Sequence, residues 1–312
     1  MINNLYGKSL ISVDSLTQDD VDSIFHSADE MQKIVKLKGG NDILKGKIMA
    51  ALFYEPSSRT MGSFLSAMQR LGGGFVPISG ISSSSISKGE TLEDTGKVFS
   101  SYVDVIIMRH SQIGSVDKLA KGATVPVVNA GDGINEHPTQ ALLDTYTIKS
   151  ELGRLNNLHI GFFGEMGHYR PVNSLAKLLT LYKNIHLTFI SPPEVKLQEG
   201  VRQYLRKKGM QFQEIENVNK VIMDIDVLYV TRVKKEYMSE ELYHKIQGKY
   251  IVDMALVNKM KRKSMVMHPL PRVGEIATDV DNDPRSVYLT KQMRNGMYIR
   301  MALLDLILRK HD

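Results

Sequence analysis

The chain has 312 residues, 42% of them hydrophobic and 24% charged, and no cysteine; this fits about two folded domains and excludes disulfides, thiolate metal sites and a cysteine nucleophile. The net charge of +6 comes from 40 Lys+Arg against 34 Asp+Glu, and the basic residues are scattered, without zinc-finger spacing or RNA-binding aromatics, which favours small anions over nucleic acid. No apolar stretch reaches membrane-spanning length and Met1–Ser15 lacks a basic start followed by an apolar run, so neither a membrane anchor nor a signal peptide is expected and the expected compartment is the cytoplasm.

Thr17 to Lys36 reads as an amphipathic helix, with Val21, Ile24, Phe25, Ala28, Met31 and Val35 on one face and Thr17 and Asp20 spaced as a capping box. The apolar run Ile48–Tyr54 predicts a strand, and a helix follows from about Met61. Between them stands Ser57-Ser58-Arg59-Thr60. Unpaired N–H groups at a helix start favour an anion, and the three hydroxyls and the guanidinium fork suit phosphate. The same stretch is also an ordinary helix entry. Phe75–Ile78 predicts a short strand, and the serine-rich Ser79–Lys88 reads either as a flexible linker or as a lid tipped with hydroxyls and a lysine.

Val103–Met108 predicts a buried strand ending on Arg109, and Val125–Val128 another. His137-Pro138-Thr139-Gln140 then opens a helix to about Leu152. Arg59, Arg109 and His137 thus arrive at the C-terminal ends of three strands, where open α/β sheets bind ligands. Strands alternating with helices favour a parallel sheet. A second α/β series starts at Leu158: a strand His159–Gly164, a loop through Pro171 and a helix to Leu181. Gly164 and Gly167 fall short of a full dinucleotide fingerprint. Further strands are expected at His186–Ile190, Val227–Thr231, Tyr250–Asp253 and Met265–His268, and a closing helix at Asn295–Leu308.

Six motifs stand in order: Ser57-Ser58-Arg59-Thr60, Lys88-Gly89-Glu90-Thr91, Met108-Arg109-His110, His137-Pro138-Thr139-Gln140, Thr231-Arg232-Val233 and His268-Pro269-Leu270-Pro271-Arg272. On these the chain resembles the transcarbamoylases over essentially its whole length. Its aspartate-accepting branch is the nearer one, because ornithine-type relatives typically carry a cysteine in the last motif. The resemblance implies two doubly wound parallel-sheet α/β domains with an interdomain active site. Residues 1–150, joined by the C-terminal helix 292–312, would bind carbamoyl phosphate, and 151–291 would bind aspartate. The implied reaction moves the carbamoyl group to the α-amino group of L-aspartate, a step of pyrimidine biosynthesis, with no metal or organic cofactor. A homotrimer with shared active sites is implied, with room for regulatory chains.

By the same resemblance, Ser57, Ser58, Arg59, Thr60, Ser84 and Arg109 would hold the phosphate, with Lys88 closing over it and Ser84 and Lys88 lent by a neighbouring subunit. Thr60, Arg109 and His137 would stabilise the carbonyl oxygen, His137 as a neutral donor or, in the sharper reading, as a base. Gln140 and the carbonyls of Leu270 and Pro271 would orient the carbamoyl NH2. Arg170 and Arg232 would clamp aspartate, assisted by Lys88 and Lys234. The chain departs from the family at Lys234 (usually Gln), Tyr237 and Met61 (usually Arg) and Tyr169-Arg170-Pro171 (usually Gly-Arg-Thr), mostly on the acceptor side. The rival readings are a transcarbamoylase with another amino acceptor and an inactive ligand-binding or scaffolding paralogue.

Overall fold

The computed structural model of the protein describes residues 4–80, 88–233, 235 and 238–311. Its contacts divide the chain into two units, Met1–Tyr146 with Arg294–Asp312, and Thr147–Met293.

The first unit opens with helix α1 (Gln18–Lys38), whose capping box is complete: the Thr17 hydroxyl accepts from the Asp20 N–H, and the Asp20 carboxylate accepts from the Thr17 N–H. Then come β1 (Ile48–Phe53), α2 (Ser58–Arg70), β2 (Gly74–Ser79), α3 (Leu92–Ser100), β3 (Val105–His110), α4 (Ser115–Gly122), β4 (Val127–Asp132) and α5 (Pro138–Leu152). The four strands are parallel in the order β2-β1-β3-β4. Central strands covered on both faces read as continuous apolar runs, as Met49–Phe53 and Val105–Met108 do. Ala50, Leu52, Ile106, Met108 and Val127 pack with Val116 and Leu119 of α4.

The second unit contains β5 (Leu158–Phe163), α6 (Arg170–Leu178), β6 (Ile185–Ile190), α7 (Glu199–Lys207), β7 (Gln211–Ile215), β8 (Val227–Val230), α8 (Glu240–Ile246), α9 (Met254–Val257) and β9 (Met265–Met267). Its five strands are parallel in the order β7-β6-β5-β8-β9. Phe163, Ile190, Leu228, Val230, Val252 and Val266 form the centre of its core. Helix α10 (Lys291–Leu308) closes the chain. The chain therefore leaves the first unit within α5 and re-enters it within α10.

Several expected boundaries move. Helix α2 starts at Ser58 rather than near Met61, so Ser58, Arg59 and Thr60 form its first turn. Arg109 lies inside β3, paired with Phe53, rather than just beyond it. No strand forms at Tyr250–Asp253: Val252 makes only a single bridge to Ile276, because the Asp253 side chain caps α9 by accepting from the Leu256 N–H. The helix after Arg170 stops at Leu178 and ends in a 3₁₀ turn through Leu181. Among the described residues no helix is long and apolar enough to cross a membrane.

Candidate active site

In the first sheet the connections run outward from β1 to β2 on one side and from β3 to β4 on the other, so the switch point lies between β1 and β3. Ligands collect at such switch points, beyond the carboxyl ends of the strands. The chain leaves β1 there through Glu55 and Pro56 into α2. Ser57 precedes the helix without a side-chain capping bond, Ser58 and Arg59 are exposed, and Thr60 is buried. The first N–H groups of α2 and these hydroxyls are donors of the kind that could hold an anion. Arg109 comes in beside it from β3. Its Nη2 donates to Glu55 Oε1 at 2.6 Å, and its Nη1 lies 3.5 Å from the Ala130 carbonyl.

His137 and Gln140 arrive from the far side of β4. Their loop is pinned: the Asp132 N–H donates to the Glu136 carbonyl at 3.0 Å, and the Glu136 carboxylate accepts from the Ser12 hydroxyl and the Val13 N–H, both at 2.9 Å. His137 is buried, with Thr139 Oγ1 3.5 Å from its Nδ1. Neighbouring His110 is a different case. Its Nδ1 accepts from the Gln112 N–H at 2.9 Å, and burial lowers its pKa against the opposing charges of Asp132 and Glu55. It supports the loop. Lys88, after β2, is exposed. Ser84 lies outside the described residues.

The second unit repeats the arrangement. Its switch point lies between β5 and β8, and Arg170 and Arg232 follow those two strands. The two loops are laced together: Thr231 Oγ1 donates to the Glu165 carbonyl at 2.9 Å, and the Thr231 N–H to the Phe163 carbonyl at 2.9 Å. Gly164 makes this possible. Its φ is +121°, and a Cβ there would sit 2.4 Å from the Thr231 carbonyl oxygen. Arg170 opens α6 and is buried. Tyr169 before it is buried too; burial raises its pKa, opposed by the charge and the backbone N–H of Arg232, which places Arg232 beside the Tyr169–Arg170 turn. Lys234 and Tyr237 lie outside the described residues.

After β9, the His268 imidazole organises the proline-rich loop. Its Nδ1 accepts from the Leu270 N–H at 2.7 Å, so Nε2 carries the proton and donates to Glu275 Oε1 at 2.6 Å. Glu275 Oε2 in turn accepts from the Val273 N–H at 2.9 Å. Leu270 is held at φ +57°, a region an L side chain enters at a cost of about 1–2 kcal/mol. Arg272 is structural: it pairs with Asp281 and lies over the Tyr288 ring. Among the described residues no group of three or more His, Asp or Glu is arranged to hold a metal ion.

Two family profiles match the chain: aspartate/ornithine carbamoyltransferase, carbamoyl-P binding domain, over residues 8–150, and aspartate/ornithine carbamoyltransferase, Asp/Orn binding domain, over 156–307. The chain belongs to the aspartate/ornithine carbamoyltransferase family. Among relatives in this family, the chloroplastic aspartate carbamoyltransferase of Arabidopsis thaliana is 47% identical over 92% of this chain and 74% of its own length. Multifunctional protein pyr1-3 of Dictyostelium discoideum is 44% identical over 98% of the chain, which spans only 14% of that larger protein. Aspartate transcarbamoylase from Trypanosoma cruzi, solved with carbamoyl phosphate, superposes with a TM-score of 0.93 at 38% identity, covering 99% of this chain and 98% of that one. The catalytic subunit of M. Jannaschii aspartate transcarbamoylase gives a TM-score of 0.88 at 42% identity, covering 95% of this chain and 96% of that one.

Two residues of this carbamoyltransferase site, Asp144 and Glu275, carry no motif signal of their own. Asp144 on Gln140 and Glu275 on His268, like Glu55 on Arg109 and Tyr169 beside Arg232, are contacts of the motif residues. Only the Gln140–Asp144 pair has a helical four-residue spacing that sequence could have flagged.

Proposed function

We propose that the protein transfers the carbamoyl group of carbamoyl phosphate to the α-amino group of L-aspartate, giving N-carbamoyl-L-aspartate and phosphate. The observation that carries this reading is the placement of cationic side chains at both switch points: Arg59 and Arg109 in the first sheet, Arg170 and Arg232 in the second. A phosphate on one substrate and two carboxylates on the other call for such forks. The relatives support it by name, since the Trypanosoma cruzi enzyme has been solved with carbamoyl phosphate and aspartate and with N-(phosphonacetyl)-L-aspartic acid.

The first unit takes the carbamoyl phosphate and the second the amino acid. Ser57, Ser58, Arg59 and Thr60, with the N–H groups of α2, hold the phosphate; Arg109 spans phosphate and carbonyl, and Ser84 and Lys88 close over it. The neutral amine attacks the carbamoyl carbon, and its carbonyl oxygen becomes an oxyanion facing Thr60, Arg109 and His137. The C–O bond to phosphate then breaks, and the departing phosphate takes the amine proton, so no protein base is required. Gln140 and the carbonyls of Leu270 and Pro271 accept from the carbamoyl NH2. Arg170, Arg232, Lys88 and Lys234 hold the dicarboxylate. The reading extends to a cytoplasmic homotrimer in which neighbours share Ser84 and Lys88, acting in pyrimidine biosynthesis.

The test is phosphate release and product formation with fixed carbamoyl phosphate and a panel of amines. L-aspartate is expected to be turned over, and Arg59→Ala to lose about 100-fold or more. Turnover of another amine with none of aspartate rejects the acceptor. No turnover with any amine, in a protein that also fails to bind the phosphonacetyl aspartate mimic, rejects the reaction.

A further inference from the structure

The Gln140 amide has two ends, and the proposed reading needs the right one to face the substrate. A carbamoyl NH2 only donates, so it is recognised by the amide oxygen and not by the amide nitrogen. In this structure Gln140 Nε2 donates to Asp144 Oδ1 at 3.0 Å, one helical turn further along α5. A carboxylate can only accept, which commits the Gln140 NH2 to Asp144 and turns its oxygen the other way.

Asp144 is itself fully buried, and a buried carboxylate stays ionised only beside a compensating charge. Arg300 of α10 is a buried cation whose charge acts on Asp144. Burial pushes the Arg300 guanidinium down to about 10, the charge of Asp144 opposes the shift, and Arg300 stays cationic at neutral pH. Arg300 is fixed in turn: its Nη1 donates to the Ser63 hydroxyl of α2 at 3.0 Å, and its guanidinium lies 5.1 Å from the Phe64 ring centroid. Room for it depends on Gly296, where a Cβ would sit 2.7 Å from Nη1. Arg300 thus ties α10 to α2, and its charge acts on the carboxylate that accepts from the Gln140 amide.

We propose that Asp144 is a specificity-determining positioning residue: it fixes the Gln140 amide with its oxygen outward, so that the site selects a carbamoyl over an acyl group lacking the NH2. This rests on the carbamoyl phosphate reading of the first unit. Asp144→Asn tests it. The new amide can turn its NH2 toward Gln140, and the Gln140 amide then presents its oxygen to it and its own NH2 outward.

Dissociation constants would be measured for carbamoyl phosphate, acetyl phosphate (a methyl in place of the NH2) and inorganic phosphate. In Asp144→Asn the preference for carbamoyl over acetyl phosphate is expected to fall about 10-fold, the effect of one buried hydrogen bond, with phosphate binding unchanged. In a Gln140→Ala background the same substitution is expected to change that preference no further. An unchanged preference, or an equal loss for all three ligands, overturns the proposal. If Asp144→Asn fails to fold, Asp144→Leu with Arg300→Met removes both buried charges together and is read the same way. A wild-type chain that binds inorganic phosphate but not carbamoyl phosphate instead overturns the reading of the site.

Discussion

His137 is buried at the start of a helix whose entry loop is pinned by Glu136 to Ser12 and Val13. Such a placement suits a donor with one fixed direction better than a base that must pick up and release protons. The two roles separate by substitution. For a donor, His137→Gln keeps an N–H and is expected to stay within about 10-fold of wild-type turnover, whereas His137→Ala loses about 100–1000-fold, the usual effect of removing one oxyanion donor. Equal losses in both variants, together with the disappearance of an acidic limb from the pH–rate profile, would point to a base. Arg109 shows a second residue-scale feature. Its pairing with Glu55 at 2.6 Å fixes the guanidinium, so on the proposed reading part of its orientation is in place before any phosphate arrives.

At the scale of elements, the loop after β9 is held by the His268 imidazole and the Glu275 carboxylate. Burial alone would raise the Glu275 carboxyl, but its bonds to His268 and to the Val273 N–H hold it below the usual 4.5. A carboxylate depressed in the folded state stabilises the fold above its unfolded value, and that contribution is lost as pH falls through the lower folded value. Acid titration of wild-type stability is therefore expected to fall off below about pH 4.5, and Glu275→Gln to show a shallower fall over that window, read from urea midpoints at each pH. Identical acid slopes would show that the His268–Glu275 bond does not hold the loop.

The same scale shows what the sequence could and could not reveal. The buried strands β1, β3, β5 and β6 announced themselves as apolar runs, and α1 through its period and its Thr17–Asp20 box. Strand β7 did not, because it is a half-exposed edge strand carrying Gln211, Gln213 and Glu214. Tyr250–Asp253 misled because a capping aspartate ends the apolar run. In the site, the motif residues could be read from their types, since cationic and hydroxyl groups after strands imply anions. Their partners Asp144 and Glu275 could not, because those contacts depend on how the strands and loops come to lie beside one another.

For the molecule as a whole, the proposed trimer with shared sites makes a prediction that no single chain can satisfy. Lys88→Ala and Arg109→Ala are each expected to be nearly inactive alone. Mixed, dissociated and reassembled, they should recover activity in roughly a quarter of the sites, because random association gives that share an intact Arg109 and a neighbour's intact Lys88. Recovery is read as turnover against mixing ratio, peaking at equal amounts. No recovery in mixed trimers would place Lys88 in the same chain's site.

Each cationic set is anchored inside its own sheet: the Ser57–Thr60 turn and Arg109 around β1 and β3, Arg170 and Arg232 around β5 and β8. Neither borrows a strand from the other. Evolution can thus rewrite one half while inheriting the other intact, and so can an engineer. On the proposed division of roles, the segment between the middle of α5 and the start of α10 is the piece to exchange for that of an ornithine-type relative to seek a new acceptor on an old donor.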